Sequence, residues 1–211
     1  MNLKQKIFLV SKSPRRKQLL EEMGFCFEVL RADVDEIYPD NLSPVQIAEY
    51  LSKLKLTPIN FSEYSENDIF ISSDTIVVLG AHILGKPKAE ADAIAMLQQL
   101  SGKTHQVISG LTIATQGKTF TGHSVTDVTF KPLSEQEIQY YITHYRPFDK
   151  AGGYGIQEWI GLIGVTSIKG CYYNVMGLPT HLLGEMLDSL YVDFSGCYAP
   201  LRWNSSDSAF T

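Results

Sequence analysis

The chain has 211 residues, with 18 Lys or Arg against 23 Asp or Glu and a formal net charge of −5. Hydrophobic residues make up 44% and charged residues 19%, a globular composition that excludes a disordered or low-complexity chain. The acidic balance argues against general capture of DNA, RNA or an anionic membrane, but it leaves room for a small anionic ligand where cations gather.

Ile7 to Val10 reads as a first strand rather than a signal peptide, because its apolar stretch stops after four residues and meets the charged segment Lys12 to Lys17. Ser13-Pro14 starts a helix, with Ser13 as N-cap, Leu19, Leu20 and Met23 as the buried stripe and Gly24 as terminator. Phe25 to Leu30 is expected as a second strand and Asp33 to Asp40 as an acidic loop. Pro44 to Leu56 is expected as a helix with Val45, Ala48, Leu51 and Leu54 on one side. Residues 57–68 read as a loop. Ile69 to Leu79 is an apolar strand, expected to be interrupted by Ser72-Ser73-Asp74-Thr75.

Gly80 and Gly85 frame a short return strand, and Ala89 to Leu100 is a helix with Ala93, Met96, Leu97 and Leu100 facing inward. Val107 to Ala114 and Thr119 to Phe130 form a hairpin around Gln116-Gly117-Lys118. Ser134 and Glu137 make a capping box for the next helix, which Pro147 ends. Asp149 to Gln157 is a Gly-rich loop, short strands are expected across 160–175, and Gly177-Leu178-Pro179 leads into a last helix. The tail from Ser195 lacks periodicity. Hairpins mixed with irregularly alternating helices and strands point to a mixed sheet in an α/β or α+β fold.

Cysteines 26, 171 and 197 are odd in number and lack CxxC spacing, which suits a reducing cytoplasm. No stretch of ~18 apolar residues could span a bilayer. No His pairs at metal-ligand spacing with a Cys or another His, so no zinc site is assigned. Residues 12–17 hold Lys12, Arg15, Arg16 and Lys17 at a helix start, where free N–H groups and the dipole already favour an anion. Lys55 and Lys86 are further candidate cations. Residues 1–31 carry a net +4 and the remainder −9. Asp74 in an apolar strand needs a partner or a metal, and so marks a candidate general base or ligand. Glu36 is a second candidate carboxylate, and such oxygens suit Mg²⁺. Gln157 offers a donor and an acceptor for a nucleobase edge. His105 reads as a structural hydrogen-bonder.

Six stretches carry a resemblance: Ser11-Lys12-Ser13-Pro14-Arg15-Arg16, Ser73-Asp74-Thr75, Gly85-Lys86-Pro87, Leu100 to His105, Asp149 to Gln157, and Asn174 to Pro179. In this order the chain resembles the Maf-type nucleoside triphosphate pyrophosphatases over about residues 7–190. The resemblance implies a two-lobed fold with an elongated mixed sheet and a central cleft, similar to the inosine triphosphatases. It implies one catalytic domain over 1–192, with 193–211 as a tail. It implies hydrolysis of dTTP and UTP, and of modified pyrimidine nucleotides, between the α and β phosphates, with Mg²⁺ or Mn²⁺. Asp74 then resembles the general base, and Glu36 with Asp74 the metal carboxylates. Ser11, Ser13, Arg16, Lys55 and Lys86 resemble the phosphate-binding set, and Arg15, Thr75 and Gln157 the base-specificity set. A homodimer is implied as well, while the cysteine usage and the acidic charge point to a cytoplasmic protein without nucleic-acid or membrane partners. Gly153 stands where the family usually has Ala. Two alternatives stay open: the same chemistry on 7-methyl-GTP, and a nucleotide-binding regulator of septum formation.

Overall fold

A computed structural model describes residues 5–189. The expected tail, 193–211, lies outside the described residues. The sheet has seven strands: β1 (Ile7–Val10), β2 (Glu28–Leu30), β3 (Ile69–Leu79), β4 (His82–Leu84), β5 (Thr104–Ala114), β6 (Thr119–Phe130) and β7 (Val165–Lys169). Their order is β2-β1-β3-β5-β6-β7, with β4 also paired to β3. β1 pairs in parallel with both β2 and β3, and the remaining pairs are antiparallel. The sheet is therefore mixed, and the fold is α/β.

The helices are α1 (Pro14–Glu22), α2 (Pro44–Leu54), α3 (Glu90–Leu100), α4 (Glu135–Tyr145), α5 (Trp159–Gly164), α6 (Tyr172–Met176) and α7 (Thr180–Ser189). Period-2 alternation splits the strands between two faces. Ile7, Leu9, Ile69, Ile71 and Val77 join the larger core with residues of α1, α3, α4 and α7. Phe8, Val10 and Phe70 face the other way with Leu56, while Ile76, Val78 and Ile108 meet Ile47, Ala48 and Leu51 of α2.

The caps read from sequence form as described: the Ser13 hydroxyl accepts the Arg16 N–H, and Ser134 exchanges bonds with Glu137. α2 carries a capping box of its own, between Ser43 and Gln46. Four expectations are corrected. β2 is three residues long rather than running from Phe25. α2 stops at Leu54 and buries Ile47, Ala48, Leu51 and Ser52, with Val45 and Leu54 only partly covered. β3 is not interrupted at Ser72-Thr75, because each of those side chains finds a polar partner on its own face. Residues 160–175 contain one strand flanked by two short helices, since short apolar runs do not distinguish strand from helix.

Candidate active site

A cleft of about 550 Å³ opens beside the C-terminal end of β1 and the middle of β3, large enough for a nucleotide. Ser11, Ser13, Arg15, Arg16, Glu36, Lys55, Asp74, Thr75, Lys86 and Gln157 all line it. Every candidate site residue read from the sequence therefore reaches one cavity.

The register of β3 divides its polar run between the two faces. Asp74 points to the face of α2, and Thr75 to the opposite one. Lys55 is the C-cap of α2, where a cation is favoured. Its ammonium forms an ion pair with Asp74 Oδ1 and lies 3.3 Å from Glu36 Oε1. Lys86 Nζ approaches Glu36 Oε2 at 3.9 Å. Partial burial opposes ionisation of Glu36, but Lys55 and Lys86 outweigh it and hold the carboxyl below its ordinary range. Asp74 is 7% exposed and Arg16 8%.

Arg16 leaves the first turn of α1 and turns inward. Its Nε donates to Gly177 O at 2.7 Å and its Nη2 to Thr75 Oγ1 at 3.2 Å. Burial lowers its pKa, and the charge of Asp74 acts in the opposite direction. Gly177 O also accepts from Ser73 Oγ at 3.3 Å. Gly177 has φ +114°, a backbone conformation that favours glycine. Behind it, fully buried Asn174 donates to Val107 O and Thr126 Oγ1, each at 3.0 Å. Asn174 thus fixes α6, which explains the Asn174-to-Pro179 stretch in structural terms.

The Gly-rich loop closes the other side. Gly152 and Gly153 have φ +70° and +71°. Ala at 153 would be strained in this left-handed turn, whereas Gly is not. The Gly152 N–H bonds Gly85 O at 2.9 Å, tying the loop to the turn that carries Lys86. Arg15 Nη1 donates to Asp149 Oδ2 at 2.8 Å. The Gln157 side-chain oxygen is buried and has no hydrogen-bond partner among the described residues. Below the loop, His105 Nε2 meets Tyr154 Oη at 2.7 Å, and burial pushes the imidazole down to about 4. It is buried behind the cleft and does not line it.

Among the described residues, no three His, Cys, Asp or Glu side chains gather to hold a metal by themselves. Glu36 and Asp74 converge through Lys55. Two carboxylates beside a polyphosphate are a donor set that fits a hard divalent cation, which binds through one or two carboxylates, waters and phosphate oxygens. The sequence reading overlooked Lys150, Glu158 and Tyr141. Lys150 is buried in a loop where lysines are usually exposed, and its partner Glu158 adjoins the loop in sequence, so alternating charge was the available signal.

The profile of the family described as Maf-like protein matches residues 6–190. A dTTP/UTP pyrophosphatase of Flavobacterium psychrophilum is 48% identical over 83% of this chain and 89% of that protein. Proteins of the same name from Flavobacterium johnsoniae and Phocaeicola vulgatus are 46% and 48% identical, covering 89% of this chain and 96% and 97% of their own lengths. Among solved structures, a HAM1 protein from Coxiella burnetii aligns at TM-score 0.40 and 12% identity over 60% of this chain and 73% of that one.

Proposed function

The chain belongs to the Maf-like protein family, and from that membership we propose that it hydrolyses dTTP and UTP to the nucleoside monophosphate and pyrophosphate. One observation carries the reading: Gln157, whose amide offers both a donor and an acceptor, lines the same cleft that gathers Arg16, Lys55 and Lys86. A thymine or uracil edge carries an N3–H donor between carbonyl acceptors, which an amide side chain can match, and the cations suit phosphates. The names of the relatives, dTTP/UTP pyrophosphatase, support the same substrates.

In this reading Ser11, Ser13, Arg16, Lys55 and Lys86 bind the phosphates. The Ser13 hydroxyl also caps α1, so its share of phosphate binding is made alongside that cap. Arg15, Thr75 and Gln157 face the base. Glu36 and Asp74 would hold Mg²⁺ or Mn²⁺, and a bound divalent cation supplies charge neutralisation for the phosphates and acidifies water. Asp74 takes the proton from the attacking water while Lys55 holds its Oδ1 in place. The water oxygen bonds the α-phosphorus, the bond to the α–β bridging oxygen breaks, and that oxygen leaves with pyrophosphate. The cations stabilise the leaving charge. The same reading takes residues 1–192 as one catalytic domain and the protein as a homodimer, both from the family, and as cytoplasmic from its cysteine usage.

Purified protein incubated with Mg²⁺ and a panel of triphosphates should release pyrophosphate fastest from dTTP and UTP. A faster reaction on 7-methyl-GTP would replace the substrate reading, and no release from any triphosphate would favour a binding regulator of septum formation.

A further inference from the structure

Five side chains run in unbroken contact from the core to the cleft. Tyr141 of α4 is fully buried. Its hydroxyl accepts the Gly155 N–H at 2.9 Å and donates to Glu158 Oε2. Glu158 Oε1 lies 3.0 Å from Lys150 Nζ. Lys150 Nζ in turn donates to Asp149 Oδ1 at 2.8 Å, and Asp149 Oδ2 accepts from Arg15 Nη1 at 2.8 Å. The charges alternate from Glu158 to Arg15, so Lys150 and Asp149 each have an opposite charge on either side.

The backbone is shaped to admit this series. A Cβ at Gly155 would stand 2.8 Å from Glu158 Cδ and 3.0 Å from Lys150 Cε. Glycine at 155 thus leaves the room that the Lys150–Glu158 pair occupies, and a side chain there would displace the ends of both. Partial burial opposes ionisation of Asp149, but bonds from Lys150 and Arg15 outweigh it and hold the carboxyl at about 2. Buried ion pairs are weak sources of stability compared with apolar packing. Here the Lys150–Glu158 pair is largely buried while Asp149 is half-exposed, and half-exposed pairs add little more, so a series that ends on an arginine in a ligand cleft points to a role other than stability. Arg15 sits in the first turn of α1, which has no acidic residue of its own. A guanidinium left free there would lose rotamer entropy on binding, and one already held does not.

We propose that Tyr141 and Glu158 are positioning residues for base selection. Through Lys150 and Asp149 they fix the Arg15 guanidinium, and through the Gly155 N–H they fix the backbone leading to Gln157. Neither side chain lines the cleft, so both act on the nucleotide only through other residues. The inference rests on the reading of Arg15 and Gln157 as base-facing.

UTP and CTP provide the test, because they differ only at the base edge, where N3–H and O4 of uracil become N3 and a 4-amino group. kcat and KM for both are measured for the parent, Tyr141→Phe, Glu158→Gln and Gln157→Ala. Tyr141→Phe keeps the ring and removes the hydroxyl. It should lower the UTP-to-CTP ratio of kcat/KM about five- to tenfold, the order of one buried hydrogen bond, mainly through KM for UTP. Glu158→Gln should act in the same direction, and the double variant should lose less than the product of the two. A ratio unchanged in both folded variants, even with lower overall activity, overturns the inference, because a structural role reduces both substrates alike. If Tyr141→Phe does not fold, Glu158→Gln decides alone. An unchanged ratio in Gln157→Ala would instead overturn the base-facing reading itself, so the two failures are distinguishable.

Discussion

Gly110→Ala tests how the sheet sets the distance between the two halves of the site. Gly110 of β5 pairs directly with Asp74 of β3, and α2 crosses it so closely that a Cβ would stand 2.0 Å from Ala48 O and 2.3 Å from Ala48 C. Ordinary contact needs about 3.5 Å. The obstacle is helix backbone, which no rotamer change relieves, so α2 must lift by roughly 1.5 Å. Overpacking of this kind costs about 3 kcal/mol, which for a domain of this size lowers Tm by about 6–12 °C. The lift also carries Lys55, the C-cap of α2, away from Asp74, and a misplacement near 1 Å can cost about 10²-fold in rate. Thermal melts by circular dichroism, with kcat/KM for UTP measured well below Tm, read both effects. Gly117→Ala is the control, since a Cβ there meets nothing within 4 Å. A Gly110→Ala protein melting within about 2 °C of the parent and turning over normally would refute the reasoning.

Asp74→Asn should lower kcat by about 10²–10⁴ while nucleotide still binds, as isothermal titration would show; near-normal turnover in the folded variant removes Asp74 as base. Ser134→Ala deletes the capping box of α4 and should cost about 1 kcal/mol, lowering Tm by about 2–4 °C without changing UTP selectivity. Burial holds His105 at about 4 in the folded state, below the ordinary value near 6.5. Between those limits the unfolded chain binds a proton that the native one refuses, so this contribution is present above about pH 6.5 and is lost as pH falls towards 4. Urea unfolding at pH 7 and pH 4.5 should show a smaller loss of stability in His105→Leu than in the parent, and equal losses would contradict the assignment.

Local signals in the sequence were legible where one residue type has one use. Ser13-Pro14 and Ser134 with Glu137 named their helix starts, and the Gln116-Gly117-Lys118 turn named its hairpin. Long-range compensation was not legible. Ser72, Ser73 and Thr75 looked like a break in β3, yet Ser72 donates to Ser52 O at 2.7 Å and Thr75 Oγ1 lies 2.8 Å from Ser109 Oγ. Those partners sit 20 and 34 residues away, and no local pattern announces them. Likewise, the site residues were named from motif and resemblance, and the structure gathers them in one cleft. That Arg16 is held by the carbonyl of Gly177, 161 residues on, required the fold. The bonds of Tyr141 were not legible either, because a buried tyrosine has the same helical spacing whether or not its hydroxyl carries a bond.

Product analysis with UTP bears most directly on the reading of the cleft. The protein, incubated with UTP and Mg²⁺ and resolved by ³¹P NMR, should yield UMP and pyrophosphate in equal amounts. UDP with inorganic phosphate would place the attack on the wrong phosphorus and contradict the account, and unchanged UTP would contradict it outright.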